Sequence, residues 1–162
     1  MTPYQLNPYN IYLGDRDPRA VIADTPRQLK LLVDRLGPAG LERSLAPGKW
    51  AARAILCHLA DVECTFAFRL RQTLAQPHHV IQPFDQDDFS KRYGSLDANA
   101  AIETFSAVRR WNLALLESVG PEDLSRLVTH PERGTMTFQT VVETMAGHDL
   151  NHVRQLETIA AQ

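Results

Sequence analysis

The sequence predicts an all-α protein, a four-helix bundle with a long crossover connection between helices 2 and 3. Three observations predict it. Four long stretches carry apolar residues at steps of three and four, and no stretch of any length alternates apolar with polar residues as a half-buried strand does. The chain between the second and third of these stretches, residues 77–95, carries Pro77, Pro83, Gly94 and the acidic cluster Asp85, Asp87 and Asp88. A connection that long between helices is unusual unless it crosses the bundle or covers a site.

Residues 1–16, with Pro3, Pro8, Gly14 and tyrosines at 4, 9 and 12, show no sustained period. They read as an N-terminal arm, extended over the body, whose tyrosines cover a groove or a partner subunit; residues 17–162 form one bundle domain. Asp17-Pro18 is an N-cap followed by proline at the first helical position, and Thr25-Pro26 repeats the signal. A short lead-in helix and a longer one over 26–36, stopped by Gly37-Pro38, are expected. The second long helix spans about 51–76 on the stripe Ile55, Leu59, Val62, Phe66, Leu70 and Leu74. A short helix near 85–92 interrupts the connection. Ser95 or Asp97 caps a third helix over 98–119, with Ile102, Phe105, Val108, Asn112, Leu116 and Val119 inward. Residues 127–136 read as a loop with a short extended segment, and Thr137 caps the last helix.

Composition bounds the function classes. The 162 residues are 44% hydrophobic and 22% charged with a formal net charge of −2, and the pI is near 6.3. Charge therefore favours neither nucleic acid nor an anionic membrane as partner. No apolar run reaches a membrane-spanning length, and no export signal opens the chain, so a cytoplasmic protein is expected. Cys57 and Cys64 fall seven apart on one predicted helix, about 10 Å by the helical rise and too far for a disulfide, and read as core or interface thiols.

The chemistry concentrates in the last helix, where Val141, Met145, His148, His152, Gln155 and Ile159 share one face. Two of those six inward seats hold imidazoles, and burying a polar ring without a partner costs about 1–3 kcal/mol. A His-x-x-x-His pair on a helix points both rings at one spot, as when two imidazoles grip a metal. His58, at the edge of the second helix's stripe, is the candidate third nitrogen. Two readings stand at this level: satisfied core or surface histidines, or a three-nitrogen metal site. A structural site is closed by four protein ligands, so three imply a metal with open positions for water or substrate. Ring nitrogens suit zinc, nickel, iron or copper. Asp61, three residues after His58, and Asp149, three before His152, are placed to orient the ligand rings. Asn112 is the preferred catalytic residue outside the ligand set, with a buried hydrogen bond between helices as its alternative. His78-His79 reads as exposed and His130 as a turn or rim residue. Arg69 and Arg109 read as snorkelling outward, and Trp50 and Trp111 as packing aromatics.

Four segments then carry a resemblance. Pro47-Gly48-Lys49-Trp50, Ile55-Leu56-Cys57-His58-Leu59-Ala60-Asp61-Val62-Glu63, His130-Pro131-x-x-Gly134 and Ala146-Gly147-His148-Asp149-Leu150-Asn151-His152 are similar, in order, to motifs of the DinB/YfiT superfamily of metal-binding four-helix bundles. The resemblance covers about residues 17–160. It implies a divalent metal on His58, His148 and His152, with zinc, nickel, iron and manganese undistinguished, and a homodimer. It also implies one of three functions. The first is metal-dependent S-transfer from a low-molecular-weight thiol to a small electrophile, the second is metal-dependent hydrolysis, and the third is a non-catalytic binding or dimerisation module of the stress response.

Overall fold

The computed structural model describes residues 6–162; Pro3 and Tyr4 of the expected arm lie outside them. Four long helices build the body: α2 (Pro18–Leu41), α3 (Ala52–Ala75), α5 (Ala98–Glu117) and α7 (Phe138–Ala160). Short elements join them: α1 (Asn10–Leu13), β1 (His79–Val80), α4 (Gln86–Ser90), a 3-10 turn at Tyr93–Ser95, α6 (Pro121–Leu124), β2 (Leu127–His130) and β3 (Gly134–Thr137).

The crossover exists for a geometric reason. Arg53, at the start of α3, donates to the carbonyl of Leu96 just before α5, while Arg71 near its end reaches Trp111 and Asn112. The two helices thus run parallel side by side, and the chain leaving α3 must travel the length of the bundle to enter α5. On its way it adds β1 in parallel to β2, which pairs antiparallel with β3. The three-stranded sheet goes beyond the extended segment expected in 127–136. Packing is strongest between α2 and α7 and between α3 and α5.

Side-chain caps fix the helix starts: Asp17 accepts from the Arg19 amide, Asp97 from Ala100 and Thr137 from Thr140. The arm is less extended than expected, because Asn7 accepts from the Tyr9 amide and the chain turns into α1, which packs on α7. In α2 the helix runs through Pro26 instead of starting there, and it breaks at Gly37, whose φ of 60° is open to glycine. Pro26 has no amide proton for the Ile22 carbonyl one turn back, so that oxygen is free for another donor. Arg109 supplies it, with Nη1 at 2.6 Å.

Two apolar cores fill the bundle. One gathers Leu29, Leu36, Ile55, Leu59, Phe105 and Leu156; the other gathers Ile22, Phe66, Leu70, Leu116, Phe138 and Met145. The residues between them along α3, α5 and α7 form a polar layer of His58, Glu63, Arg109, Asn112, His148, Asp149 and His152, all buried. No helix among the described residues is long and apolar enough to cross a membrane.

Candidate metal centre

Helix α3 presents His58 and helix α7 presents His148 and His152, the last two one helical turn apart. The structure brings the three together, with one ring nitrogen of each within 4.8 Å of the other two. His58 Nε2 and His148 Nε2 stand 3.0 Å apart. All three rings are buried, at 2%, 4% and 6% exposure. His152 Nδ1 meets Gln155 Oε1 at 2.9 Å; the amide oxygen can only accept, so the proton sits on Nδ1 and Nε2 keeps its lone pair. The Nδ1 atoms of His58 and His148 have no hydrogen-bond partner among the described residues. Packing orients those rings instead: Trp50 lies 4.9 Å from His58, and Tyr9 meets His148 edge-on at 5.1 Å.

Burial makes the imidazolium form costly and the neighbouring rings add repulsion. Both effects push His58 down to about 3, and His148 is held well below its ordinary value by the same causes. Desolvation also lowers His152, against the pull of Gln155 and Asp149. The cluster therefore holds neutral rings with converging nitrogens, the form in which histidine ligates. Metal to nitrogen distances of about 2.0–2.1 Å put neighbouring ligand nitrogens about 3 Å apart, as His58 and His148 stand. These residues fit a divalent metal.

The aspartates expected behind the rings are committed elsewhere. Asp61 Oδ2 accepts from the Tyr93 hydroxyl at 2.9 Å. Asp149 Oδ2 takes Arg109 Nη1 at 2.7 Å. Neither makes a hydrogen bond to a ligand ring, and the residue that does is Gln155, which the sequence reading had only as a seam position. Asn112 also does not reach the cluster. It is fully buried, its Nδ2 donates to Glu63 Oε1 at 2.7 Å and its Oδ1 accepts from Arg71 Nη1 at 2.7 Å, so neither end of its amide is free for a substrate. The buried inter-helix hydrogen bond is the role the geometry supports.

Arg109 corrects the sequence reading most. It does not snorkel: its side chain is 0% exposed and paired with Glu63 at 2.7 Å and Asp149 at 2.7 Å. Burial alone would lower its pKa, but the two carboxylates outweigh this and raise it, so it stays a cation. The inward face of α5 runs Phe105, Arg109, Asn112 and Leu116, leaving Val108 half-buried. The signal was available: those positions keep steps of four, three and four, and Glu63 lies beside Val62 on the α3 stripe.

Other expectations shift in detail. His78 is exposed but His79 is buried in β1; Trp111 is 67% exposed, capped by the Arg71 guanidinium. Cys57 is buried and Cys64 exposed. Arg69 is half-buried rather than turned outward.

Two clefts open on the triad. The first, 560 Å³, is reached by His58 and His148 and walled by Phe66, Phe84, Arg69 and Arg133. The second, 390 Å³, is reached by His152 and walled by Lys49, Trp50, Asn151 and Gln155. Tyr9 and Gln86, from the arm and from α4, line both. The crossover connection thus builds part of the cleft wall.

A model of the DinB superfamily matches residues 22–156. The chain belongs to the DinB superfamily. A relative from Oceanobacillus iheyensis, named as a proposed metal-dependent hydrolase, is 27% identical over 139 residues, covering 85% of this chain and 81% of the relative. One from Bacillus mycoides with the same description is 21% identical, covering 85% and 80%. Among solved structures, YfiT from Bacillus subtilis, described as a candidate metal-dependent hydrolase with an unusual four-helix bundle topology, superposes with a TM-score of 0.84 at 20% identity, covering 89% of this chain and 84% of YfiT. A mycothiol-dependent maleylpyruvate isomerase superposes at 0.68 with 16% identity, covering 96% of this chain and 63% of its own. These two structures share the bundle fold of this family member.

Proposed function

We propose that this DinB-superfamily protein is a metal-dependent S-transferase, joining a low-molecular-weight thiol to a small electrophile. The observation that carries the reading is the pair of clefts meeting at one histidine cluster, because a two-substrate reaction needs two approaches to one reacting centre. The names of the mycothiol-dependent neighbour and of the hydrolase relatives support chemistry at such a centre.

His58, His148 and His152 would hold the ion. A divalent metal supplies Lewis acidity there, lowering the pKa of a thiol or a water that reaches it. In the transfer, the carbon to sulfur bond forms as the bond from carbon to the leaving group breaks, and the thiol proton departs with that group or to solvent. The chain's own part is positioning: Trp50 and Tyr9 fix the ring planes, Gln155 fixes the tautomer of His152, and Phe66 and Phe84 exclude water from one side. Hydrolysis of an ester or amide is the second reading, favoured by the names of the relatives and by the fact that one cleft suffices for it.

A panel of thiols assayed with a chromogenic electrophile, and of simple esters, tests both. Thioether formation that stops on chelation is expected. Ester cleavage alone selects hydrolysis, and no metal-dependent turnover in either arm overturns the enzymatic reading.

A further inference from the structure

The larger cleft carries a second cluster that the reaction above leaves unused. The same cleft is also lined by Arg69 from α3, Arg133 from the turn between β2 and β3, and His130 at the end of β2. The same three line a side recess whose other walls are Phe66, Ile81, Met136, Val141 and Thr144.

Local structure presents these groups deliberately. The Arg133 amide closes the turn onto the His130 carbonyl at 3.2 Å, and Gly134 takes a φ of 91° that suits glycine, letting the chain reverse directly after Arg133. The Glu132 amide donates to His130 Nδ1 at 3.2 Å, which puts the ring proton of neutral His130 on Nε2 as a donor that makes no hydrogen bond among the described residues. On the other side, Arg69 lies over the Phe84 ring at 5.7 Å and its Nη2 donates to the Gln82 carbonyl at 3.3 Å.

Neither guanidinium has a counter-ion among the described residues. Among the described residues every ion pair involves other cations, although Asp85 and Glu132 also line the cleft. Asp85 is turned to the amides of Asp87 and Asp88 as the cap of α4, and Glu132 is exposed. Arg69 Nε is buried with no partner among the described residues, a state that leaves a strong donor desolvated and unused. Burial and then the charge of Arg133 press the Arg69 pKa down to about 10, so the two cations stand close enough to oppose each other. Two like charges and an open imidazole donor facing one cleft make an arrangement that an oxyanion relieves.

We propose that the larger cleft selects a substrate bearing an oxyanion, a carboxylate or a phosphate monoester, held by Arg69, Arg133 and the His130 Nε2 proton while its other end faces the histidine cluster. The inference names the substrate class for the site proposed above and rests on that reading only for which bond reacts. The apolar wall of Phe66, Val62 and Phe84 fits a hydrocarbon or aromatic body between the two ends.

Calorimetric titration of tag-free protein of measured metal content tests binding without turnover, using 3-phenylpropionate, 3-phenylpropionamide and phenyl phosphate as probes. At least one oxyanion is expected to bind about tenfold or more tightly than the amide, from the strength of a hydrogen bond to a charged group; the better of the two assigns the anion. Arg69→Gln and Arg133→Gln should each lose about tenfold with metal content unchanged, and Arg69→Lys should recover part of the loss through charge alone. Equal binding of acid and amide overturns the proposal. So does discrimination that survives in the double variant Arg69→Gln/Arg133→Gln, because the metal would then be holding the anion. Arginine-dependent binding without turnover of any thiol or ester sinks the proposed reaction and leaves the anion site standing; turnover indifferent to both variants does the reverse.

Discussion

Two buried polar clusters sit side by side in the middle of this bundle, and they differ in one respect. In the first, Glu63, Arg109, Asn112 and Asp149, every buried side-chain polar atom has a partner. In the second, His58, His148 and His152, two rings keep a nitrogen with no partner among the described residues and bring their other nitrogens to 3.0 Å of each other. A satisfied network rigidifies the helices it joins. An unsatisfied one is kept in place by everything around it, and the physical reason to keep it is a ligand that the sequence does not encode. The difference separates the cluster that holds α3, α5 and α7 in register from the cluster whose residues fit a metal.

The comparison breaks most readily at Arg109. Arg109→Met leaves Glu63 and Asp149 as buried charges without a counter-ion, and about 3–5 kcal/mol of stability should be lost. Urea denaturation measures it, and adding Glu63→Gln and Asp149→Asn to the variant should recover much of the loss. A shift under about 1 kcal/mol would mean that the network is not structural.

His148→Ala should have the opposite profile. Metal content by elemental analysis falls to background, and the thermal midpoint no longer responds to a chelator because the folded state has lost its ligand. Its metal-free stability should change less than that of Arg109→Met. Unchanged metal content in tag-free protein removes the ligand assignment.

Acid sharpens the contrast next. An unfolded imidazole titrates near about 6.5, whereas His58 in the fold is held down to about 3 by burial and His152. As pH falls between those values the unfolded chain gains protons that the folded, metal-free chain refuses, so stability is full above about pH 6.5 and declines toward pH 3. Replacing His58 with Gln should flatten that decline in urea titrations at several pH values; an equally steep decline would place its origin elsewhere.

The smallest effect is expected at Gly147. A Cβ there would lie 2.5 Å from the Tyr9 carbonyl oxygen, so Gly147→Ala should lift the segment carrying Tyr9 off His148 while costing about 1 kcal/mol of global stability. Faster limited proteolysis near residues 6–13 at nearly unchanged urea midpoint reads it out. If the proteolysis rate does not change, the segment is not anchored through Gly147.

Much of this was legible in the residues. Steps of three and four located α3, α5 and α7 to within a few residues, because burying one face of a helix imposes that period on whatever sequence does it. The length of residues 77–95 called for the crossover, and the parallel run of α3 beside α5 is what required it. The His-x-x-x-His pair on α7 could be seen as converging, since one helix fixes the geometry of its own turn. The fate of Arg109 could not: outward snorkelling and an inward ion pair put the same residue on nearly the same stripe, and only its neighbours decide between them. Asp61 and Asp149 were near the ligands in sequence but turned to Tyr93 and Arg109, partners supplied by other elements. That Arg69 and Arg133 share one cleft was likewise invisible, since they come from distant parts of the chain and only the fold puts them on one lining. The sequence by itself determined the helices, their inward faces and which histidines could act together. The tertiary structure alone decided which buried polar groups find partners and which are left open, because that satisfaction is settled across elements far apart in the chain.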